Sequence, residues 1–254
     1  MRNPESILIT GASSGIGEAI ALEYAKPGRY LALGGRDLGR LDIVANACRK
    51  KGASVSATAI DVKNQKAMDK WIKDVDALHM LDLIIANAGI SGDSGKSSTC
   101  LNELITRDIF ATNAIGVLNT IFPVLQNMRK RKRGHIVFLS SAAGFRGLSS
   151  APAYSSTKVM IKAYGEALHG ILCKENIGVT VVCPGFVKSR LTDKNSFPMP
   201  FIINASIAAQ KIRRGIEKNK LLVAFPWPIV ILTFLINILP LKFLNKILSQ
   251  TPNK

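Results

Sequence analysis

Short apolar runs alternate with longer stretches of helical period along most of this chain. Ile7–Thr10, Tyr30–Gly34, Ser54–Ile60, Leu83–Ala86, Gly134–Ser140, Val179–Cys183 and Lys220–Phe225 are short and mostly apolar. Such runs, bounded by turn residues, predict buried strands. Between them Ile16–Lys26, Leu38–Lys51, Gln65–Leu78, Ala111–Arg131 and Ala153–Glu175 are long enough for helices and repeat at helical spacing. Strand–helix alternation of this kind predicts an α/β fold, a doubly wound parallel sheet of Rossmann type with helices on both faces. No repeat or linker divides the chain, so residues 1–254 are expected to form one domain, with a less regular end after about Thr192.

Composition narrows the class. The 254 residues are 47% hydrophobic and 20% charged, which is too apolar for a disordered chain. Thirty-four Lys and Arg against 17 Asp and Glu leave a net charge of +17. That excess suits anionic surroundings: nucleic acid, phosphate-bearing ligands or an acidic membrane face. The densest cluster, Arg129-Lys130-Arg131-Lys132-Arg133, has no interleaved aromatics, so no nucleic-acid partner is expected from it. A solvated helix end, where cations complement the helix dipole, explains it more simply. Cys48, Cys100, Cys173 and Cys183 form no CxxC pair, and His79, His135 and His169 stand alone. Reduced thiols in a cytoplasmic setting and no metal site are therefore expected, and the N-terminus carries no readable signal peptide.

The first strand runs into Thr10-Gly11-Ala12-Ser13-Ser14-Gly15-Ile16-Gly17 and then a helix. Glycines here let the backbone turn sharply and approach a pyrophosphate, whose charge suits the helix N-terminus. Further along, Tyr154 and Lys158 are four residues apart in a helical segment, which puts them on one face. A neighbouring ammonium would lower the phenol pKa from about 10 and prepare it for proton transfer. Ser141 directly follows the fifth strand, thirteen residues before Tyr154. It is expected at the carboxyl edge of the sheet, where open α/β folds bind ligands.

Taken together, Thr10–Gly17, Asn87-Ala88-Gly89, Ser141, Tyr154-Ser155-Ser156-Thr157-Lys158 and Pro184-Gly185 resemble the short-chain dehydrogenase/reductases in order and spacing. The resemblance runs from Ser6 to about Leu191. It implies an NAD(P)-dependent oxidoreductase that interconverts a carbonyl and an alcohol by hydride transfer. Ser141, Tyr154, Lys158 and Asn113 would be catalytic: Tyr154 the proton donor, Lys158 the ribose ligand, Ser141 the carbonyl anchor, and Asn113 the holder of a water relay. Gly11, Ser13, Ser14, Gly15, Ile16 and Gly17 would hold the dinucleotide phosphates. Asp61 and Val62 would meet the adenine, and Asn87, Ala88 and Gly89 would line the cleft. Pro184, Gly185, Val187 and Ser189 would cover the nicotinamide, Ser189 standing where the family generally has Thr.

The second strand ends Gly34-Gly35-Arg36-Asp37. NAD users place a carboxylate here for the ribose 2′-hydroxyl, and NADP users an Arg for the 2′-phosphate. Arg36 points to NADP, and NADPH as the reductant. Asp37 either competes for the ribose, which would favour NAD, or caps the next helix. A catalytically silent Rossmann-type binding protein is the rival reading, and the intact Ser141, Asn113, Tyr154 and Lys158 set argues against it. The resemblance also implies a homo-oligomer packed through Ala111–Arg131 and Ala153–Glu175.

Residues 192–219 are expected to cover the substrate, and 226–254 form an apolar tail. Pro226, Pro228 and Pro240 interrupt that tail, leaving Ile229–Leu239 shorter than the roughly 17–25 residues a spanning helix needs. Two readings of Ile229–Leu248 stay open. It is an interfacial helix on an anionic membrane, with Ile231, Phe234, Leu235 and Ile238 inserted and Lys242 and Lys246 on the headgroups, or it covers a pocket or dimer face. The first makes the substrate apolar or lipid-like and the protein peripheral on a membrane.

Overall fold

Seven parallel strands form one sheet in the order β3-β2-β1-β4-β5-β6-β7. The strands are β1 (Ser6–Thr10), β2 (Tyr30–Gly35), β3 (Ser54–Ala59), β4 (Leu83–Ala86), β5 (Gly134–Leu139), β6 (Ile177–Pro184) and β7 (Leu222–Phe225). The computed structural model describes residues 3–92, 102–193 and 197–238. Helices α1 (Gly15–Tyr24), α2 (Leu38–Lys50) and α7 (Ala205–Glu217) cover one face, and α3 (Gln65–His79), α5 (Gly116–Arg131) and α6 (Pro152–Leu172) the other. Helix α4 (Glu103–Phe110) leads into α5, and α8 (Trp227–Ile238) follows β7.

Side-chain alternation along the strands builds the two cores. In β1, Ile7 and Ile9 join Leu31, Leu33 and Ile212 on one face, while Leu8 joins Ile84, Ile136 and Val179 on the other. Because both faces are covered, the inner strands β1, β2, β4, β5 and β6 read as largely continuous apolar runs rather than alternating ones. Strand β1 pairs with β2 on one side and β4 on the other. The winding direction reverses there, opening a crevice at the carboxyl ends.

Four details depart from the sequence expectations. Strand β6 starts at Ile177 rather than Val179 and runs on to Pro184. The helix expected from Ala111 starts at Glu103, and Ala111–Ile115 is a π-helical turn centred on Asn113. Among the described residues of 192–219, Thr192, Phe197, Pro198 and Pro200 line the cleft. Residues Ala205–Glu217 instead pack on α1, with Ala208, Ala209, Ile212 and Ile216 buried, because their apolar positions repeat at helical spacing. The continuous helix Glu103–Arg131 is, among the described residues, the one long and apolar enough to cross a membrane; most of its apolar window is buried inside the fold.

The basic cluster is largely committed to the fold. Arg129 pairs with Glu175, Arg131 with buried Asp76, and Arg133 with buried Asp82. Of the lone histidines, His79 stacks on Tyr30 at 3.5 Å between ring centroids. His135 is buried in β5, and its Nε2 lies 2.8 Å from the Thr180 hydroxyl. Thr180 spends its own proton on the Lys220 carbonyl, so it accepts from His135.

Burial pushes the His135 pKa down from 6.5 to about 3. Below pH 6.5 the unfolded chain therefore binds a proton that the folded chain refuses until about pH 3. Stability falls across that window. A His135→Gln variant, which keeps the donor to Thr180, should lose less stability than wild type over this range in urea titrations. Identical pH dependence in the two proteins would exclude His135 as the acid-sensitive group.

Candidate active site

The crevice at the carboxyl edge of the sheet is a cleft of about 1100 Å³. Its floor begins at the turn after β1. Gly11 and Gly15 have φ of +67° and +61°, a conformation that side chains resist. A Cβ on Gly11 would stand 2.8 Å from Ala88 Cα, and one on Gly15 2.9 Å from Ser189 Cβ. Ser14 is the N-cap of α1 but makes no side-chain cap bond. First-turn amides of a helix have no partner within it, which suits an anionic phosphate at this end. Ser13, Ser14, Gly15 and Ile16 line this end; Gly17 does not. Gly17 packs under the turn, where a Cβ would overlap the Gly11 carbonyl and the Asn87 amide. Its missing side chain permits that close packing.

Asn87 holds the turn to the centre of the sheet. Its Nδ2 donates to the carbonyls of Thr10 (2.9 Å) and Gly11 (3.1 Å). The backbone amides of Asn87 and Ala88 donate in turn to the Thr10 hydroxyl. Ala88 and Gly89 continue along the wall.

At the end of β2, Arg36 lines the cleft, and Asp37 caps α2 by accepting from the Arg40 amide at 3.0 Å. Its other oxygen pairs with Arg40 Nε at 2.8 Å. Of the two roles open to Asp37, capping is the one the geometry realises. Asp61 and Val62 line the same end. Asp61 accepts the Lys63 amide at 3.0 Å, whereas the cap of α3 is Asn64.

The chemistry-bearing groups gather where β5 and α6 meet. Ser141 begins a 3-10 turn and accepts the Ala143 amide at 3.1 Å. Its hydroxyl is in hydrogen-bonding reach of Tyr154. Lys158 is almost fully buried, and its Nζ donates to the Leu139 carbonyl at 2.8 Å. Nζ lies 5.6 Å from the Tyr154 ring centroid. Burial holds the Tyr154 pKa above its ordinary value, and the Ser141 hydrogen bond only partly opposes it. The amine donates to the Leu139 carbonyl, so in this arrangement burial, rather than Lys158, sets the direction of the Tyr154 shift. Burial likewise lowers Lys158 to about 8.

Asn113 is fully buried behind the cleft wall. Its Oδ1 accepts the Ile90 amide and its Nδ2 donates to the Ile90 carbonyl, both at 2.8 Å, with Thr157 Oγ1 at 3.3 Å. The π-helical turn delivers it there. Pro184, Gly185, Val187 and Ser189 line the opposite wall beside Phe186 and Arg190. Among the described residues no group of His, Cys, Asp and Glu could hold a metal.

Several contributors were not singled out from the sequence. Arg40 lines the Arg36 end of the cleft, and its place one turn after the capping Asp37 was the available signal. Ser140 Oγ donates to the Lys158 carbonyl at 2.7 Å, tying α6 to the end of β5. Ile229 and Thr233 of α8 line the cleft; the pocket-cover reading of Ile229–Leu248 allowed for such a contact, but no local pattern singled out these two residues.

A parallel doubly wound sheet with a glycine turn, and Ser, Tyr and Lys gathered at its edge, defines a dinucleotide-dependent class of protein. The family model for short chain dehydrogenase matches residues 5–198. The chain is 38% identical over 234 residues to an uncharacterized oxidoreductase of Myxococcus xanthus, covering 92% of each. Its fold is similar to that of a short-chain dehydrogenase from Sphingobium yanoikuyae in complex with NADPH (TM-score 0.81, 21% identity, 97% and 96% coverage). It is equally similar to a short chain dehydrogenase/reductase from Burkholderia phymatum in complex with NAD (TM-score 0.83, 21% identity, 99% and 97% coverage). The chain belongs to the short-chain dehydrogenase family of oxidoreductases.

The lowered Lys158 pKa has a measurable consequence. Between about pH 8 and 10.5 the unfolded chain carries a proton that folded Lys158 has released. That group therefore adds stability as pH rises through the window. Urea denaturation of the cofactor-free chain should show this gain relative to Lys158→Met. If the two proteins change in parallel, Lys158 keeps its proton in the fold.

Proposed function

We propose that this oxidoreductase prefers NADP and interconverts a carbonyl and an alcohol on an apolar or lipid-like small molecule. The observation that carries this reading is the convergence of Ser141, Tyr154 and Lys158 on one cleft that also holds the open glycine turn. When bound, the nicotinamide cofactor supplies or accepts the hydride. Gly11, Ser13, Ser14 and Gly15 would hold its phosphates, and Pro184, Gly185, Val187 and Ser189 its nicotinamide end. In the reducing direction Ser141 donates a hydrogen bond to the carbonyl oxygen, and Tyr154 gives that oxygen its proton. Burial keeps Tyr154 protonated until then, which suits a general acid. The Lys158 ammonium stabilises the phenolate left behind, and Lys158 with Asn113 holds the water that returns the proton.

The NADP preference rests on charge. Arg36 and Arg40 both line the cleft end where a 2′-phosphate would lie, and Asp37 is spent on the α2 cap and Arg40. A carboxylate so engaged is a poor ribose ligand, so NAD is the less favoured cofactor. The apolar substrate rests on Leu148, Phe186, Leu191, Phe197 and Ile229 around the outer cleft. Exposed Ile115, Phe122, Val159 and Ile171 on the Ala111–Arg131 and Ala153–Glu175 segments support a homo-oligomer. Free Cys48, Cys173 and Cys183 support a cytoplasmic setting, and the tail supports peripheral contact with an anionic membrane.

A panel of ketones and aldehydes with NADPH tests the activity. Tyr154→Phe should remove nearly all turnover while cofactor affinity stays within a few fold; full turnover in this variant would sink the acid assignment. Arg36→Ala should weaken NADPH far more than NADH. A charge-assisted hydrogen bond of roughly 1.5–3 kcal/mol corresponds to about 10- to 150-fold. Equal losses in titrations of the two cofactors would show that Arg36 does not read the phosphate.

A further inference from the structure

Helix α8 stands between the cleft and the outside of the molecule, and it is apolar on both sides. Ile229 and Thr233, one turn apart, line the cleft. Ile229 seats on Gly185, where a Cβ would come within 2.8 Å of Ile229 Cδ1. The helix also touches the Ala142–Gly144 turn that follows Ser141. Its other side presents Trp227, Ile231, Leu232 and Leu235, exposed at 73, 50, 56 and 55%. Trp227, Ile231 and Leu235 are spaced four apart, a single stripe along the helix.

What covers this stripe is indicated by charge. After Glu217 the chain has no Asp or Glu, while Lys220, Lys242, Lys246 and Lys254 are basic, on a protein of net charge +17. An apolar stripe with only cations around it in sequence complements an anionic lipid surface. Pro228 and Pro240 bound an apolar run, Ile229–Leu239, shorter than the roughly 17–25 residues a spanning helix needs, so a place along the surface suits α8.

We propose that the outer face of α8 seats on an anionic bilayer and that its inner face selects an amphiphilic carbonyl or alcohol drawn from that bilayer. The proposal rests on the oxidoreductase reading of the cleft. Ile229 and Thr233 are the specificity-determining residues, and the seat brings the cleft wall they form against lipid. Each added CH₂ raises the share of substrate in the bilayer about fourfold, so a seated enzyme meets long-chain substrates at raised local concentration.

The protein has two tryptophans, buried Trp71 and exposed Trp227, so a Trp71→Phe chain reports on α8 alone. Vesicles of equal parts phosphatidylcholine and phosphatidylglycerol should shift Trp227 emission to the blue, more than phosphatidylcholine alone and less at high salt. With NADPH, these vesicles should raise the rate on a ketone two CH₂ groups longer, relative to its shorter homologue, by roughly 15-fold. Ile231→Glu/Leu235→Glu should abolish both effects and leave the short-ketone rate in water unchanged. Ile229→Ala should change the chain-length ratio without vesicles while the emission shift persists.

No Trp227 shift on anionic vesicles would overturn the seat. A shift with the rate enhancement surviving in Ile231→Glu/Leu235→Glu would overturn the link between seat and substrate. A drop in sedimentation mass of that double variant would assign the stripe to a second copy of the chain, and overturn the proposal too. A shift without NADPH oxidation on any ketone would instead overturn the oxidoreductase reading, and substrate selection with it, while the bilayer seat stands.

Discussion

Lys158 is an amine nearly sealed from water, and a buried amine is tolerated only where oxygen atoms receive its protons. The end of β5 supplies that setting over three consecutive residues. The Leu139 carbonyl accepts from Nζ, Ser140 Oγ donates to the Lys158 carbonyl, and Ser141 reaches Tyr154. One strand end therefore sets the position of α6 and of both its chemical groups. Gly144 makes the approach possible, since a Cβ there would press on Ser140 and the Lys158 carbonyl. Much of the catalytic geometry is a consequence of how closely this strand and helix meet.

The other half of the cleft depends on an equally local device, the bracing of the β1 turn by Asn87. Its amide spans from β4 to the carbonyls of Thr10 and Gly11, and Gly17 lets α1 close over that point. The two halves join through Gly89, which adjoins both Asn113 and Lys158. Asn113 stiffens this junction from behind, its carboxamide engaging both backbone groups of Ile90. The π-helical turn is the local distortion that places it there, in keeping with such turns' association with functional positions.

The five inner strands β1, β2, β4, β5 and β6 were legible as short apolar runs because they are buried on both sheet faces, and Leu8 shows why. Its neighbours Ile7 and Ile9 serve the opposite core, so no polar position interrupts the run. The glycine turn, Ser141, and the Tyr154–Lys158 pair were legible because their chemistry requires particular residues at short, local spacings. Asp37 was ambiguous in sequence, because a carboxylate at a strand end fits a ribose or a helix cap equally well. The fold realises the cap, through the Arg40 amide.

By itself, then, the sequence determined the alternation of strands and helices, the sheet's winding, and which residues could do chemistry, all properties of local pattern and residue type. Tertiary structure decided what depends on contacts between distant segments. It packed Gly17 under the β1 turn and placed Asn113 behind the wall. It left the Tyr154 phenol protonated by burial and sent Ala205–Glu217 onto α1. It also laid α8 along the cleft, 75 residues after Tyr154 at Ile229, where no local spacing could have announced the contact. The physical reason is common to all of these: burial, electrostatic environment and close approach are set by which segments meet, and residue type constrains that meeting without specifying it.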